Sequence, residues 1–438
     1  MWKDKVIRWQ RLDNAAKIFP ALVTREDSEV FRITCQLNEN VNPDILQLAV
    51  EDALEEFPMF KCVLRDGFFW NYLENTNRKA KVHEETATPF QPLYDKEQDK
   101  NRPNLLFDVL YYKERIHLEV FHALTDGTGA LLFLRTIVAH YLMRAHSEIT
   151  IASLDLGSDG TVRQQEADSF NQYFTPTGSR WRIQAVLGKG KKKVYHLHEH
   201  KSPDLRQLIT EGWASTAAIK KAAGEYAVTI TVFLTAVLVA SIYDTMDPRD
   251  QKKPVSIAVP VNLRNYFPSD TVRNFFGMID IFYDFTKSGT EFENICAGVA
   301  AAFRNQLTKE NLLEIIDRQV GLEKNFFVRI APLAIKNIVM SRSQKRTLKH
   351  RTICLSNIGR IDMPAPIAPL IKRFMIANST PFKQVCLCSY GDEMTIAFSG
   401  VMAGREVERA FFRRIAAVDP SLTIAASYTP KSLHGFEE

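Results

Sequence analysis

The chain has 438 residues, more than a single hydrophobic core usually accommodates, so two domains or subdomains are expected. Hydrophobic residues make up 45% and charged residues 24% of the chain, a balance that excludes disordered, collagen-like and coiled-coil classes. The formal net charge of +5 is too small a bias to indicate nucleic-acid binding.

The distribution of apolar residues bears on targeting and membrane insertion. The first residues, MWKDKVIRWQ, contain no apolar stretch typical of a secretory signal. The most apolar later stretch, residues 228–242, is shorter than the roughly 20 residues that span a bilayer, and we interpret it as a buried helix. The six cysteines lie mostly in apolar runs and are predicted to be reduced. The sequence therefore predicts a cytoplasmic protein without a membrane span.

Strand and helix patterns alternate through the first half of the chain, which indicates a mixed α/β structure. A hairpin with its turn at Lys113 and Glu114 is followed by a helix. The predicted strands cover residues 30–37, 59–64, 68–73, 105–112 and 115–120, and the predicted helices cover residues 43–57 and 129–144.

Apolar periodicity fades over residues 156–193, where Gly, Ser, Asp and Lys accumulate, so this segment is predicted to be a linker or crossover. It divides an N-terminal part, residues 1–155, from a C-terminal part, residues 194–438, and no exact repeat relates the two. The second part is also mixed. Its predicted strands cover residues 194–198, 255–261, 276–285, 352–356, 384–389 and 394–399, and its predicted helices cover residues 213–223, 229–245, 292–307, 312–340 and 407–417.

His122, Asp126 and Gly127 have the spacing HxxxDG between a predicted strand and a predicted helix. The strand end can aim the imidazole into a cleft, Gly127 and Gly129 permit a tight or positive-φ turn, and Asp126 can fix that turn electrostatically. A histidine beside a DG turn is also ordinary turn chemistry. The spacing alone leaves both interpretations open.

Three segments carry a resemblance to a known superfamily: FHALTDGTGALLFLRTIVAHYL (121–142), AVPVNLRNYFPSDTVRNFFG (258–277) and LSNIGRID (355–362). They resemble the HxxxDG acyltransferases, which include chloramphenicol acetyltransferase, the condensation domains of peptide synthetases, wax ester synthases and plant BAHD enzymes. The sequence looks most similar to bacterial alcohol acetyltransferase-like proteins. The resemblance extends in order and spacing over most of the chain.

The resemblance implies an α/β fold of two chloramphenicol-acetyltransferase-like subdomains, each a mixed sheet with helices, around a central cleft or tunnel. It implies His122 as the general base and Asp126 as a structural residue paired with Arg264, with Arg273 as the second candidate partner. It further implies that no cofactor is bound, that acyl-CoA is the co-substrate, and that an alcohol or amine attacks the thioester directly, without an acyl-enzyme. Ser356 or Asn357 could donate to the oxyanion, or could simply terminate a strand.

Two departures narrow the resemblance. Phe121 occupies the position of the first of two histidines in condensation domains, which argues against a peptide-synthetase module. The DFGWG motif typical of BAHD enzymes is not found, which disfavours a plant-type enzyme. Two rivals stay open: an enzyme that uses carrier-protein-bound donors, and a non-catalytic binding protein that retains the fold.

Two further clusters have competing interpretations. Residues 329–351 contain seven Lys or Arg and no acidic residue, which could meet the phosphates of coenzyme A or an acyl carrier protein, or could face solvent as a helix and loop. His196, His198 and His200 would share one face of a strand, but such side chains diverge too far to close a tetrahedral site. We therefore predict no metal site.

Overall fold

The computed structural model describes residues 9–95, 104–149, 162–175 and 193–426. Within these ranges the chain forms two halves, each a β-sheet covered by helices, so the predicted α/β class with two sheet-and-helix subdomains is confirmed. Each half has its own cluster of buried apolar side chains. The two-core arrangement expected from the length of the chain is therefore present.

The described strands and helices are numbered in chain order. The strands are β1 (Trp9–Arg11), β2 (Val30–Leu37), β3 (Cys62–Arg65), β4 (Tyr72–Asn75), β5 (Val82–Glu84), β6 (Phe107–Tyr112), β7 (Arg115–Phe121), β8 (Leu208–Ser215), β9 (Val255–Asn262), β10 (Phe276–Tyr283), β11 (Ile353–Ile361), β12 (Ile371–Asn378), β13 (Lys383–Tyr390), β14 (Glu393–Gly400) and β15 (Thr423–Ala426). The helices are α1 (Phe19–Leu22), α2 (Pro43–Glu56), α3 (Gly127–Ala145), α4 (Val162–Gln165), α5 (Ser169–Tyr173), α6 (Thr216–Glu225), α7 (Ile230–Asp244), α8 (Phe285–Ser288), α9 (Phe292–Gln306), α10 (Lys309–Lys324), α11 (Phe326–Ile330), α12 (Leu333–Leu348) and α13 (Glu406–Val418).

The main sheet of the first half has five strands in the order β12-β2-β7-β6-β5, and a separate small sheet has the order β1-β4-β3. Strand β2 is buried along its whole length and pairs antiparallel with β7, which leads directly into the HxxxDG motif. Its other neighbour, β12, comes from the second half of the chain. The first sheet is thus completed by residues far downstream, and a division at residues 155 and 194 stays a prediction. Residues 156–161 and 176–192 of the predicted linker lie outside the described residues, while α4 and α5 fall inside it.

The sheet of the second half has seven strands in the order β10-β9-β11-β13-β14-β8-β15. Strand β11 runs parallel to both β9 and β13, while the other pairs are antiparallel. Helix α7 packs into this half with residues 232–242 buried, because its sequence is apolar all round. The buried helix predicted over residues 228–242 is therefore present.

Several elements differ between the prediction and the structure. Residues 194–198 form no strand, and residues 213–215 complete β8 before α6 begins, because Ser215 caps that helix with its side chain. The single helix predicted over residues 312–340 is three helices, α10 to α12, separated at Asn325 and Pro332. Strand β12 was not predicted at all.

The length and apolar character of the helices bear on whether one of them could cross a membrane. Within the ranges that the structure describes, no single helix is long and apolar enough to cross a membrane. Helices α6 and α7 meet that criterion of length and composition only as a pair, and they are bent by 80° at the break between them.

Candidate active site

The HxxxDG motif lies between the end of β7 and the start of α3, as its spacing predicts. Asp126 is the N-cap of α3, and its Oδ1 accepts hydrogen bonds of 3.1 Å from the backbone nitrogens of Thr128 and Gly129. An aspartate at this position satisfies backbone donors that have no partner inside the helix and complements the helix dipole. The cap fixes the turn that carries His122.

The second oxygen of Asp126 is held by the other half of the chain. Its Oδ2 accepts from Arg264 Nη1 at 2.8 Å and from the backbone nitrogen of Phe275 at 2.9 Å. Arg264 in turn donates to the backbone oxygens of Thr271, at 3.0 Å, and Arg273. The structure therefore brings Asp126 and Arg264 together, with both side chains largely buried.

Arg273, the second candidate partner of Asp126, is directed elsewhere. Its Nη1 donates to the backbone oxygen of Glu166 at 3.5 Å and its Nη2 to Gln10 Oε1 at 3.3 Å. Burial raises the pKa of Asp13 to about 6, and the nearby charge of Arg273 partly opposes this effect. Arg273 thus supports the wall behind the motif and does not pair with Asp126.

Gly129 is required for space, and Gly127 lies in a tight contact. Neither Gly127 nor Gly129 has a positive φ, so of the tight or positive-φ turn that the sequence permits, the positive-φ form is not present. A Cβ on Gly129 would lie 2.0 Å from the backbone oxygen of Val272 and 2.2 Å from Thr125 Oγ1, and one on Gly127 would lie 3.1 Å from Ile358 Cδ1. The glycines let α3 begin in close contact with the second half.

The imidazole of His122 lies among aromatic rings. It stacks on Phe19 and is tilted against Phe31, with ring centroids 4.6 Å apart in both pairs. Its Nδ1 is buried and has no hydrogen-bond partner in the described residues. Burial lowers the pKa of His122 to about 4, against the opposing effects of the Asp126 charge and the Asn274 amide. The ring is therefore neutral at neutral pH.

Asn274 is a site residue that the sequence reasoning missed. Its Nδ2 donates to the backbone oxygen of His122 and to Asp13 Oδ2, each at 3.1 Å, and its Oδ1 is buried with no partner. Asn274 is 1% exposed. The sequence did contain a signal for this role: Asn274 is a polar amide residue between the candidate Arg273 and the apolar start of β10.

A cavity of about 1690 Å³ lies between the two halves and is lined by His122, Ser356 and Asn357. The Asn357 amide is engaged: its Nδ2 donates to Thr231 Oγ1 at 2.9 Å and its Oδ1 accepts from the backbone nitrogen of Gly359 at 2.8 Å. The Ser356 hydroxyl has no partner in the described residues. Of the two candidate oxyanion donors, Ser356 is therefore the one free to bind a ligand. A tunnel open on both sides stays a prediction.

Cationic side chains line one region of this cavity. Arg304, Arg318, Lys345 and Arg351 come from α9, α10, α12 and the loop before β11. Only Arg351 has an ion-pair partner in the described part of the chain, Asp280, at 2.6 Å. Three unpaired cations at the edge of a cavity can bind phosphate groups.

Carboxyl groups also line this cavity, next to the motif. Asp27 and Glu29 border the cavity, and the backbone nitrogen of His122 donates to the backbone oxygen of Glu29 at 3.0 Å. Burial raises the pKa of Asp27 to about 6, although the Ser379 hydroxyl that it accepts from acts in the other direction. Burial and the neighbouring Asp27 raise the pKa of Glu29 well above its ordinary value. The cavity lining thus carries both cations and carboxyl groups with raised pKa values.

The histidines at 196, 198 and 200 do not form one cluster, since this segment is not a strand. His196 Nε2 is bonded to the backbone oxygen of Lys349 at 3.1 Å, and His198 Nε2 lies 3.4 Å from Asp250 Oδ2. Across the described ranges, no group of three or more His, Cys, Asp or Glu side chains is arranged to hold a metal ion.

The sequence was compared with known proteins. No family model matches it, and a search of curated proteins finds no match. Solved structures, by contrast, are similar over nearly the whole chain.

Trichothecene 15-O-acetyltransferase from Fusarium sporotrichioides is 12% identical and superposes with a TM-score of 0.61, covering 95% of this chain and 99% of its own. TRI101 of F. graminearum, solved with ethyl coenzyme A, is 10% identical with a TM-score of 0.61, covering 92% and 97%. The starter condensation domain of rhizomide synthetase is 14% identical with a TM-score of 0.57, covering 94% and 95%. The chain therefore has the two-subdomain fold that is shared by these acetyltransferase and condensation-domain structures.

Proposed function

We propose that the chain is an acyltransferase that moves an acyl group from an acyl-CoA to an alcohol or amine, with His122 as the general base. The observation that carries this proposal is a neutral imidazole on the wall of a large cavity between the two halves. A base must be unprotonated and accessible to accept a proton from a substrate; burial keeps His122 neutral, and the residue lines the cavity, which supports this role. The shared fold supports the same reaction class.

In the reaction we propose, His122 acts first as the base and then as the acid. His122 Nε2 takes the proton of the hydroxyl or amine as its oxygen or nitrogen attacks the thioester carbonyl. The tetrahedral intermediate then collapses, the carbon–sulfur bond breaks, and the imidazolium returns the proton to the leaving thiolate. No acyl-enzyme and no metal take part, because the groups invoked are an imidazole and hydrogen-bond donors.

Asn274 is proposed to orient the base. Both His122 Nδ1 and Asn274 Oδ1 are buried without a partner, and the Asn274 amide already holds the backbone of His122. We infer that Nδ1–H donates to Oδ1, which would satisfy both atoms and lower the free energy of that tautomer. The tautomer leaves Nε2 as the acceptor on the cavity side.

Ser356 is the proposed oxyanion donor, since its hydroxyl lines the cavity without another partner. A donor aimed at the developing negative charge stabilises the transition state more than the ground state. Asn357 is then a structural residue that shapes the irregular register of β11 against β13.

The donor is proposed to be coenzyme A-linked, with its phosphates near Arg304, Arg318 and Lys345. The similar TRI101 structure contains ethyl coenzyme A, which supports a coenzyme A site in this fold. We place the reaction in the cytoplasm, because all six cysteines are free, which fits a reducing compartment.

The test is incubation of the purified chain with a panel of acyl-CoAs and of alcohols and amines, following thiol release and product mass. His122→Ala should lower the rate by about 10²–10⁴-fold. His83→Ala is the matched control, because His83 is exposed on β5 and does not line the cavity.

A rate that His122→Ala leaves unchanged would refute the general base. Turnover with acyl carrier protein but not with acyl-CoA would establish the carrier-dependent rival. Saturable binding of ligands without any turnover would establish the binding-protein rival. A strong chelator should leave the rate unchanged.

A further inference from the structure

The first two turns of helix α12 depart from the polarity expected for a helix in water. Ile335, Ile338 and Val339 are exposed over 54%, 52% and 60% of their surface. Lys336, in contrast, points inward and is 5% exposed; its Nζ donates to the backbone oxygen of Phe69 at 2.8 Å and lies 3.7 Å from the centre of the Trp70 ring. A solvated helix buries its aliphatic residues and exposes its lysines. The exposed side of α12 is therefore built to contact something other than water.

The exposed apolar surface continues beyond α12. On the preceding helix, α11, Phe326, Phe327 and Ile330 are exposed over 66%, 76% and 51%. The backbone nitrogen of Leu333 donates to the backbone oxygen of Phe68, which is itself 73% exposed, so another aromatic side chain lies beside the start of α12. Exposed aromatic and aliphatic side chains in such numbers mark interaction surfaces.

Basic residues extend the same side of α12 toward its C-terminus. Arg342 and Arg346 follow the exposed aliphatic residues at helical spacing, and neither has an ion-pair partner in the described residues. Residues 324–361 contain nine Lys or Arg and no Asp or Glu. We call the surface formed by Ile335, Ile338, Val339, Arg342 and Arg346 the α12 face. Its positive charge is complementary to an anionic partner.

The composition of the α12 face favours a lipid surface over a protein. Two copies of the chain related by a two-fold axis would oppose their own cations, which costs free energy. Phenylalanine and aliphatic side chains beside Lys and Arg are typical of helices that lie in the interface of an anionic membrane. Ser343, Gln344 and Thr347, on the other side of α12, line the cavity. A membrane on this face would therefore lie next to the cavity.

We propose that the α12 face, with the exposed aromatic residues of α11, docks the protein peripherally on an anionic lipid membrane. The apolar side chains enter the boundary between headgroups and acyl chains, and the cations contact the anionic headgroups. This proposal concerns the surface alone and does not depend on the reaction at His122.

The test is flotation of the purified full chain with vesicles of phosphatidylcholine alone and of phosphatidylcholine mixed equally with phosphatidylglycerol. Binding to the anionic vesicles should be at least about tenfold tighter and should weaken with added salt. Ile335→Ser with Val339→Ser, and separately Arg342→Gln with Arg346→Gln, should each lower it by about tenfold. These side chains are exposed, so the melting temperature should stay near that of the parent chain.

Matched controls are Leu48→Ser, an exposed apolar side chain on α2, and Lys220→Gln with Lys221→Gln, exposed cations on α6. Both should leave flotation unchanged. The proposal is overturned if the chain does not float with anionic vesicles, or if the α12-face variants float as well as the parent. A parent chain that does not bind vesicles but self-associates, or binds an acidic carrier protein, through the residues changed in those variants would equally overturn it.

Discussion

Arg264 Nη1 lies 2.8 Å from Asp126 Oδ2, and this ion pair joins the first half of the chain to the second. The two side chains are 11% and 6% exposed. The carboxylate also accepts from backbone nitrogens of both halves, so its charge is fully hydrogen-bonded. Because removal of one partner leaves the other charge buried and unpaired, the pair makes the position of His122 depend on the contact between the halves.

Asp126→Asn and Arg264→Ala should each lower the free energy of unfolding by about 3–5 kcal/mol and reduce transfer, because each leaves buried groups without a partner. The double variant should be less harmful than the sum, with a coupling of about 0.5–3 kcal/mol. Urea unfolding of the four proteins measures the coupling.

The control for this cycle is the exposed pair Arg360 and Asp362, whose side chains are 73% and 67% exposed. Arg360→Ala should change the free energy of unfolding by no more than about 1 kcal/mol, since solvent screens exposed pairs. Additive effects of Asp126→Asn and Arg264→Ala would contradict the pairing.

Local patterns predicted most of the fold, and the misses have a common cause. Strand β2 and helix α3 carry strong periodicity and were predicted within two residues of their bounds. Strand β12, in contrast, belongs to the sheet of the first half while it lies far downstream in the chain. Its neighbours along the chain carry no information about that pairing. The outward aliphatic side of α12 also follows from tertiary packing, since Lys336 is turned inward toward Trp70.

The site was predicted as far as its motif and its ion pair, and no further. Asp126 and Arg264 were paired from the resemblance, and the structure brings them together. Asn274 and Asp13 are separated by 261 positions, and no local pattern indicates that they meet behind His122. The burial of the imidazole between Phe19 and Phe31 likewise depends on three different elements. Such contacts are set by packing between elements and not by spacing within one.

The pH dependence of transfer should reflect the buried imidazole. Burial lowers the pKa of His122 to about 4, so kcat/KM should stay nearly constant between about pH 8 and 5.5. At about pH 5.5, an imidazole with the ordinary pKa of about 6.5 would keep only about a tenth of its base form. Steady-state kinetics across this range measure it. An acid limb centred near about 6.5 would contradict a desolvated base.

The lowered pKa of His122 also affects the stability of the folded chain. Since the pKa of His122 is lower in the folded chain than in the unfolded chain, the unfolded state binds the proton more readily. Stability should therefore fall as the pH drops below the unfolded pKa of about 6.5 toward 4. His122→Ala removes this contribution, so its melting temperature should fall less over that range than that of the parent chain.

Asn274→Ala should lower kcat by about 10- to 100-fold, because the base loses the group that orients it. KM for the donor should change little. The amide opposes the effect of burial on the pKa of His122, so its removal should move the acid limb of kcat/KM to lower pH. Nitrogen NMR of labelled histidine should report a loss of the single tautomer.

Asp13→Asn is the control for Asn274, because it alters the same contact from the opposite side without touching the imidazole. It should lower stability and leave the acid limb in place. If Asn274→Ala lowers only the melting temperature, with the pH profile and the tautomer unchanged, Asn274 is merely structural.

Ser356→Ala should lower kcat by about 10²–10³-fold with little change in KM, because a donor to the developing oxyanion acts in the transition state and not in the ground state. Ser343→Ala is the matched control: Ser343 also lines the cavity, but it lies on α12. Ser356→Thr keeps a hydroxyl and should retain part of the rate. Equal losses in kcat for Ser356→Ala and Ser343→Ala would remove Ser356 from the catalytic groups. A loss confined to KM would assign it to substrate binding, and the oxyanion would then need a different donor.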